Sequence, residues 1–273
     1  LIKAIAKGSG VDKALSYQDI IELWKNNDVT PSFSYDLSFP EVFGQNKGFD
    51  VVFGNPPWDR IEVNEEDFWC NFDITILDYP DKNSRQPLIR KIQNEDNTAF
   101  DLWKNLNNKI IEFLKYLNAI YKYQSVKVDG KYTTGSPDLY RAFAERVYEL
   151  VNRQGCLGMV FPGAIHSNEG ASGIRDLYLN NAKLDFCYSY ENRKKLFEID
   201  GRFKFDLVKV NKEKSAQESF RAAFYLHDES IIFDENWKPI TYKKSQLEVL
   251  SSKNLAFPEC RTQLDFDLLL SLN

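Results

Sequence analysis

The chain is short of the residues on which several common chemistries rest. Its only methionine is Met159, and its only histidines are His166 and His227. Neither histidine has an evident triad partner and no Gly-x-Ser-x-Gly elbow occurs, which excludes a serine-hydrolase reading. The four cysteines, Cys70, Cys156, Cys187 and Cys260, stand far apart and form no Cys-x-x-Cys pair. A disulfide framework or a metal site is therefore not expected, and a reducing cytoplasm is. Glycine is too sparse for a phosphate cradle: no P-loop is present, and Gly8-Ser9-Gly10 runs into Val11–Leu15, a poor helix start, so it reads as a turn or linker. No apolar run is long enough to cross a bilayer, and no signal-peptide pattern is seen. A net charge of −5 argues against a surface that coats nucleic acid, and Arg90-Lys91 and Arg193-Lys194-Lys195 read as solvated faces. A chain that begins at Leu1 with its one methionine deep inside reads as a piece of a longer protein.

What the chain does hold is apolar mass: 43% hydrophobic and 14% aromatic residues over 273 positions, enough for one large core or two small ones. One stretch organises the rest. Phe49-Asp50-Val51-Val52-Phe53 is a continuous β-prone run, as in a strand buried on both faces, and it enters Gly54-Asn55-Pro56-Pro57-Trp58. Gly54 lets the backbone turn, and the two prolines form a stiff bracket without N–H groups. Asn55 thereby stands at the carboxyl end of a strand, where open α/β sheets bind their ligands. The plainer reading is a rigid turn whose Trp belongs to the core.

Around this bracket the pattern alternates. Ser16 caps a short helix with Ile20, Ile21, Leu23 and Trp24, which Thr30-Pro31 ends. Phe33–Leu37 alternates like a strand with Asp36 at its far end. Beyond Trp58 the acids Asp59, Glu62, Glu65, Glu66 and Asp67 lack ligand spacing and read as a solvated insertion. Thr98 opens a long helix whose stripe is Leu102, Leu106, Ile110, Phe113, Leu114, Leu117 and Tyr121. Ser136-Pro137-Asp138 starts another helix, with Leu139, Phe143, Val147 and Leu150 inward and Gly155 as its stop. Strands follow at Leu157–Phe161 and Leu184–Tyr190, flanking a helix at Ile174–Leu179. Phe203–Val210 and Phe220–Leu226 read as a closing hairpin. The class is α/β, a mostly parallel sheet finished by a terminal antiparallel hairpin.

Chemically, Asn55 and the Pro56 carbonyl offer two acceptors beside the Trp58 plane. That suits a planar group bearing –NH₂: both hydrogens are accepted, the nitrogen lone pair leaves ring conjugation, and the nitrogen becomes a better nucleophile. A base in duplex DNA would first have to be flipped out, with the aromatic face offsetting its lost stacking.

Asn55-Pro56-Pro57-Trp58 after an apolar strand resembles the catalytic motif of amino-methyltransferases that use S-adenosylmethionine. The longer run from Phe39-Pro40-Glu41-Val42-Phe43 to Trp58 resembles a narrower group, the adenine-N6 DNA methyltransferases of type IIG restriction-modification enzymes and related phage-defence methylases. Asp138-Leu139-Tyr140 with Phe143 resembles that family's cofactor-lining helix, Leu157–Ile165 its next strand, and Lys195-Leu196-Phe197 the region whose aromatic contacts the flipped base. The resemblance spans residues 33–227. It implies a Rossmann-like S-adenosylmethionine-dependent methyltransferase fold, incomplete here, with a helical insertion at about 62–130. Residues 1–32 would be a helical lead-in, and 228–273 a linker or the start of a target-recognition domain. It also implies roles: Asn55, Pro56, Pro57 and Trp58 as the catalytic element, Phe197 closing a sandwich on the base with Trp58, and Asp36, Asp138 and Leu139 bordering S-adenosylmethionine. The implied partner is double-stranded DNA with a flipped adenine.

The departures are equally concrete. The family's glycine-rich cofactor loop and its ribose-gripping acid should precede residue 30 and are not found, so the expectation is the second half of a catalytic domain, inactive alone. No nuclease motif is seen. No Pro-Cys pair exists, which disfavours cytosine-C5 methylation. Two other readings stay open: a methyltransferase of a protein glutamine or an RNA base, a group that usually lacks a long insertion after the bracket, and a non-catalytic fragment that keeps the fold. Neither composition nor motif fixes the oligomeric state.

Overall fold

The chain divides into two units, residues 1–46 and 47–273, and the computed structural model describes residues 34–45, 47–124, 127–128, 131–132, 138–213 and 219–272. The turn expected at Gly8–Gly10, the helix expected after Ser16 and the Ser136-Pro137 start lie outside them. In the first unit the expected strand at Phe33–Leu37 is instead helical: α1 (Tyr35–Ser38) is followed directly by α2 (Pro40–Gln45). The reason is period. Tyr35, Phe39 and Phe43 recur every fourth residue, and the Tyr35 ring lies 6.4 Å from Phe39 and 5.9 Å from Phe43.

The second unit runs β1 (Phe49–Gly54), α3 (Glu65–Trp69), α4 (Lys82–Glu95), α5 (Asn97–Ile120), β2 (Lys127–Val128), β3 (Lys131–Tyr132), α6 (Leu139–Leu150), β4 (Val151–Pro162), α7 (Ala164–Ser167) and α8 (Ser172–Asn180). It continues with β5 (Lys183–Glu191), β6 (Lys204–Asn211), β7 (Ser219–Leu226), β8 (Ile240–Lys243), α9 (Lys244–Leu250) and α10 (Gln263–Ser271). β2 and β3 form a separate small antiparallel pair. The other six strands form a mixed sheet in the order β1-β4-β6-β5-β7-β8. β1 is parallel to β4, and β5 to β7; β6 runs antiparallel to both β4 and β5, and β8 to β7. Four strands thus share one direction, and β6 and β8 oppose it.

The hairpin expected between Phe203–Val210 and Phe220–Leu226 is not formed. β6 is inserted between β4 and β5, and the antiparallel edge pair is β7 with β8. Insertion gives β6 a ladder on both sides and leaves neither β4 nor β5 with an open edge there. The expectation for β1 also changes. Among the described residues it pairs only with β4, and Val51 and Phe53 are 57% and 83% exposed, so it is an edge strand and not one buried on both faces.

Alternation along the strands builds two cores. On one face Leu157, Met159 and Phe161 of β4 meet Tyr140, Ala144 and Val147 of α6 and Ile174 and Leu177 of α8. On the other, Tyr188 and Tyr190 of β5 and Phe205 of β6 are joined by Trp58, Phe197 and Trp237. Phe143, expected inward, is 40% exposed, because the inward face of α6 is set by Tyr140 one turn earlier.

The stretch after the bracket is helical and has its own small core of Trp69, Ile76, Ile89 and Ala99. Asp96, not Thr98, caps α5, accepting from the Ala99 amide at 3.0 Å. Only part of the expected α5 stripe packs: Ile110, Leu114, Leu117 and Tyr121 meet Ile61, Leu139 and Ala142, whereas Leu102, Leu106 and Phe113 are exposed. Glu145 of α6 ties the end of α5 down, its carboxylate accepting from the amides of Lys122, Tyr123 and Gln124 at 2.8, 2.7 and 3.1 Å.

The β1–β4 ladder has one irregularity. Phe49 faces Val151 while Val51 faces Cys156, so β4 bulges between them. Gly155 sits in that bulge, where a Cβ would lie 2.5 Å from the Asp50 carbonyl oxygen. At Gly54 a Cβ would meet nothing within 4 Å, so the bracket does not need glycine there for space. Gly155→Ala is therefore expected to destabilise the protein by about 1–3 kcal/mol in urea unfolding, while Gly54→Ala leaves the unfolding midpoint nearly unchanged.

Candidate functional site

Because β1, β4, β5 and β7 share a direction, their carboxyl ends gather at one edge of the sheet, and the bracket leaves β1 at that edge. Its residues alternate in exposure: Asn55 is exposed, Pro56 buried, Pro57 exposed and Trp58 half-buried. The bracket is clamped at both ends. Upstream, Gly54 is in register with Met159. Downstream, the Leu139 amide donates to the Asp59 carbonyl at 2.9 Å, and Arg60 bridges to Asp138. This second clamp brings Asp138 and Leu139 to the bracket across a long stretch of sequence.

Facing Trp58 is Phe197, with ring centroids 6.0 Å apart at 65°. Phe197 comes from the loop between β5 and β6, and a buried amide that sequence reasoning missed holds it there. The Asn192 side chain donates to the carbonyls of Phe197 (2.9 Å) and Ile199 (3.1 Å) and accepts from the Phe197 amide (3.0 Å). Its own amide donates to the Phe203 carbonyl at 2.9 Å. Lys195, between them, takes a left-handed conformation with φ of 53°. The signal that could have found Asn192 is its type: an asparagine at a strand end, able to satisfy its own loop's backbone. Behind Phe197 the rings continue, Phe205 at 5.0 Å edge-on and Tyr190 stacked on Phe205 at 5.5 Å and 11°.

Of the other expected residues, Asp138 stands half-buried at the start of α6 and does not cap the helix. Arg60 Nε and Arg141 Nη2 approach its carboxylate only to 3.7 and 3.8 Å, beyond hydrogen-bond distance. Burial raises its pKa, with the two arginines opposing. Among the described residues no side chain donates to it within hydrogen-bond distance, which leaves acceptor capacity beside the bracket. Asp36 is exposed on α1, in the first unit.

A second polar group lies on the other face of the same edge. His166 is buried, its Nδ1 2.5 Å from Asp206 Oδ2 and its Nε2 3.1 Å from Glu259 Oε1. Lys204 Nζ closes the chain at 2.5 Å from Glu259 Oε2. A chain of polar contacts thus runs from Asp206 through the His166 ring and Glu259 to Lys204. Burial alone pushes the imidazole down, but Asp206 and then Glu259 outweigh it and raise His166 from 6.5 to about 9. The His166 hydrogen bond, set against burial and joined by those of Lys204 and Tyr225, holds Glu259 down to about 2. Burial raises the neighbouring Cys187 thiol, so it stays protonated. His166, Cys187 and Asp206 bring ligand-type atoms within 4.8 Å of one another, but the imidazole–carboxylate hydrogen bond already occupies two of the three. Tyr225 completes the group: φ of 60° in a β7 bulge turns its ring to this face, between Lys204 at 4.8 Å and Arg261 at 4.6 Å. An open cavity of about 580 Å³ adjoins, lined among others by Pro162, His166, Lys204 and Glu259.

With this geometry in view, comparison with known proteins is informative on one point. Residues 6–122 and 114–197 match the profile of the Eco57I restriction-modification methylase family. No curated protein matches in sequence. Among solved structures, the chain is similar to a DrdV–DNA complex (14% identity, TM-score 0.42, covering 84% of this chain and 20% of that one). It is also similar to a nuclease-deletion mutant of the type ISP restriction-modification enzyme LlaGI with a DNA substrate mimic (16%, 0.41, 78% and 16%). A third is the M protein of the type I restriction enzyme EcoKI (11%, 0.36, 55% and 44%). The chain spans less than half the length of each of these structures. No helix among the described residues is long and apolar enough to cross a membrane.

The His166 group sets a pH dependence. A folded-state pKa raised above 6.5 contributes stability that is complete below pH 6.5 and is lost as pH rises through about 9. The parent chain should lose on the order of 3 kcal/mol of unfolding free energy over that window. His166→Gln should be less stable at pH 6 and show a flatter profile from pH 6.5 to 9, as read by urea melts; two parallel profiles would refute the assignment.

Proposed function

The chain belongs to the Eco57I restriction-modification methylase family, and from that premise we infer that it forms part of a DNA methyltransferase moving a methyl group from S-adenosylmethionine to adenine N6. One observation carries the reading: an exposed asparagine on a rigid Pro-Pro bracket, clamped at both ends beside two facing aromatic rings. Asn55 Oδ1 and the Pro56 carbonyl accept the two hydrogens of the exocyclic amine. That draws the nitrogen lone pair out of the ring and aims it, which is catalysis by positioning and electrostatics. Pro57 keeps the bracket stiff. Trp58 and Phe197 flank the flipped base, offsetting its lost stacking. Since their rings meet at 65° and 6.0 Å, a base enters by parting them.

The residues present suit the cofactor at one point. Asp138, half-buried with unfilled acceptor positions, fits an ammonium or hydroxyl of S-adenosylmethionine, with Leu139 at its border. When bound, that molecule supplies an electrophilic methyl on a cationic sulfur. Asp36 is a further candidate on the resemblance alone. The fold in this reading is Rossmann-like, and the substrate is double-stranded DNA in the cytoplasm, in a restriction-modification or phage-defence setting. Residues 33–227 hold the catalytic part in this reading, with an insertion at about 62–130 and residues 1–32 a lead-in; residues 228–273, expected as a linker or the start of a target-recognition domain, instead add β8 to the same sheet and Leu247, Phe257 and Phe266 to its core.

The test uses the intact protein that carries this chain, labelled S-adenosylmethionine and plasmid DNA. Transfer to adenine N6 is expected, with Asn55→Ala lowering it by about 100-fold or more. Label on protein or RNA instead of DNA, or full transfer by Asn55→Ala, refutes the reading.

A further inference from the structure

The loop that carries Phe197, Asn192–Phe203, has almost no apolar core of its own. Leu196, Ile199 and Phe203 are 46%, 39% and 55% exposed, and of the whole loop only Asn192 is buried. The ion pairs at its base, Arg193 with Glu191 and Lys194 with Asp228, lie at the surface, where such pairs contribute little. Hydrogen bonds give the loop its shape, and most of them converge on one residue. Asn192 closes the neck, its backbone N–H donating to the Phe203 carbonyl and its carbonyl accepting from the Lys195 amide, both at 2.9 Å. Its side chain fills the inside. Both amide hydrogens go to carbonyls, of Phe197 and Ile199, and its oxygen accepts from the Phe197 N–H.

A primary amide is the side chain able to donate twice and accept at once. The shape it imposes is strained at one point. Lys195 has φ of 53°, a conformation disfavoured for any residue with a Cβ and most of all for a β-branched one. Strain of that kind persists only where its surroundings over-determine it. Here the surroundings are the bonds of Asn192, and the form they hold sets the Phe197 ring 6.0 Å from Trp58.

We propose that Asn192 is a positioning residue for methyl transfer, its side chain latching the Phe197 wall opposite Trp58 so that the slot is assembled before a base arrives. The proposal rests on the methyltransferase reading above and adds to it the group that sets how often the slot is formed. Being fully buried, Asn192 acts through Phe197. A wall in place for only a fraction of the time weakens apparent substrate binding by that fraction and leaves the rate at saturation intact. The signature of a lost latch is therefore a raised KM for DNA and not a lowered kcat.

The experiment measures kcat and KM for DNA in the intact protein at saturating S-adenosylmethionine. On separate duplexes it reads the emission of 2-aminopurine at the target position, which a covering ring quenches. Asn192→Ala should raise KM about 10-fold or more with kcat within a factor of about 2, and leave the bound 2-aminopurine brighter than the parent does. A loss confined to kcat, which is what a smaller folded fraction gives, overturns the proposal, as does a parent-like KM or emission. Should Asn192→Ala fail to fold, the exposed Lys195 supplies a second comparison. Lys195→Val and Lys195→Gly remove the same charge, but only glycine takes φ of 53° freely. KM should be about 3–10-fold higher in Lys195→Val than in Lys195→Gly; equal values overturn the proposal. Asn55→Ala separates the two levels. If it is inactive while Asn192→Ala and the Lys195 pair show no KM effect, only this inference fails; if it keeps full transfer, the base site itself has been misassigned.

Discussion

Everything at the site hangs on one parallel ladder, that of β1 on β4. Among the described residues β1 has no other strand partner, so the height at which Asn55 leaves the sheet is set by that register alone. A slip of one residue would exchange its two faces and place Asn55 where Pro56 now is. The bulge at Gly155 holds the register: the chain approaches the Asp50 carbonyl so closely that no side chain fits. Asn152 Nδ2 adds a hydrogen bond to Asp50 Oδ1 at 2.6 Å across the same pair. Two prolines then remove the remaining backbone freedom, and the Asp59–Leu139 hydrogen bond closes the far end. Such over-determination is what a group that works by position requires.

The opposite wall of the slot is built differently. Phe197 lies on no ladder and no regular helix; one buried amide, Asn192, supplies both the donor and the acceptor that fix its backbone. The two walls thus differ in stiffness. Opening the ladder side would break consecutive backbone pairs, whereas opening the loop side breaks the bonds of a single side chain. Since the Trp58 and Phe197 rings meet edge to face, entry of a planar group in the proposed reaction would be a movement of the Phe197 loop against the bracket.

This contrast also explains what could be read from sequence. β1, β4, β5, β6 and β7 were legible as apolar runs, and the bracket as a local motif, because each is a property of neighbouring residues. The resemblance carried by Lys195-Leu196-Phe197 pointed to the loop in which Phe197 meets Trp58. What local pattern does not carry is pairing order. Phe203–Val210 and Phe220–Leu226 read as a hairpin because nearby strands usually pair, yet β6 took the gap between β4 and β5. The His166 group was equally out of reach: its partners lie 40 and 93 residues away, and an isolated His, Asp and Glu have no period to reveal them. At Tyr35–Ser38 a period-4 aromatic spacing competed with alternation and won. The α5 stripe showed the converse, a correct helical period whose apolar residues are only partly covered.

Charge at this edge follows a consistent rule. Arg193 pairs with Glu191, Lys194 with Asp228, Arg202 with Asp200, and Lys204 with Glu259. Each of these cations is paired with an acid of the same edge, in keeping with a net charge of −5. Paired charges of this kind add little long-range attraction for a polyanion. In the proposed reaction its task is therefore short-range: rings that hold a base by its faces and acceptors that hold its amine. Phosphate contacts and the salt dependence they bring would in that reading belong to surfaces other than this one, and the site would read one displaced base and not the duplex around it.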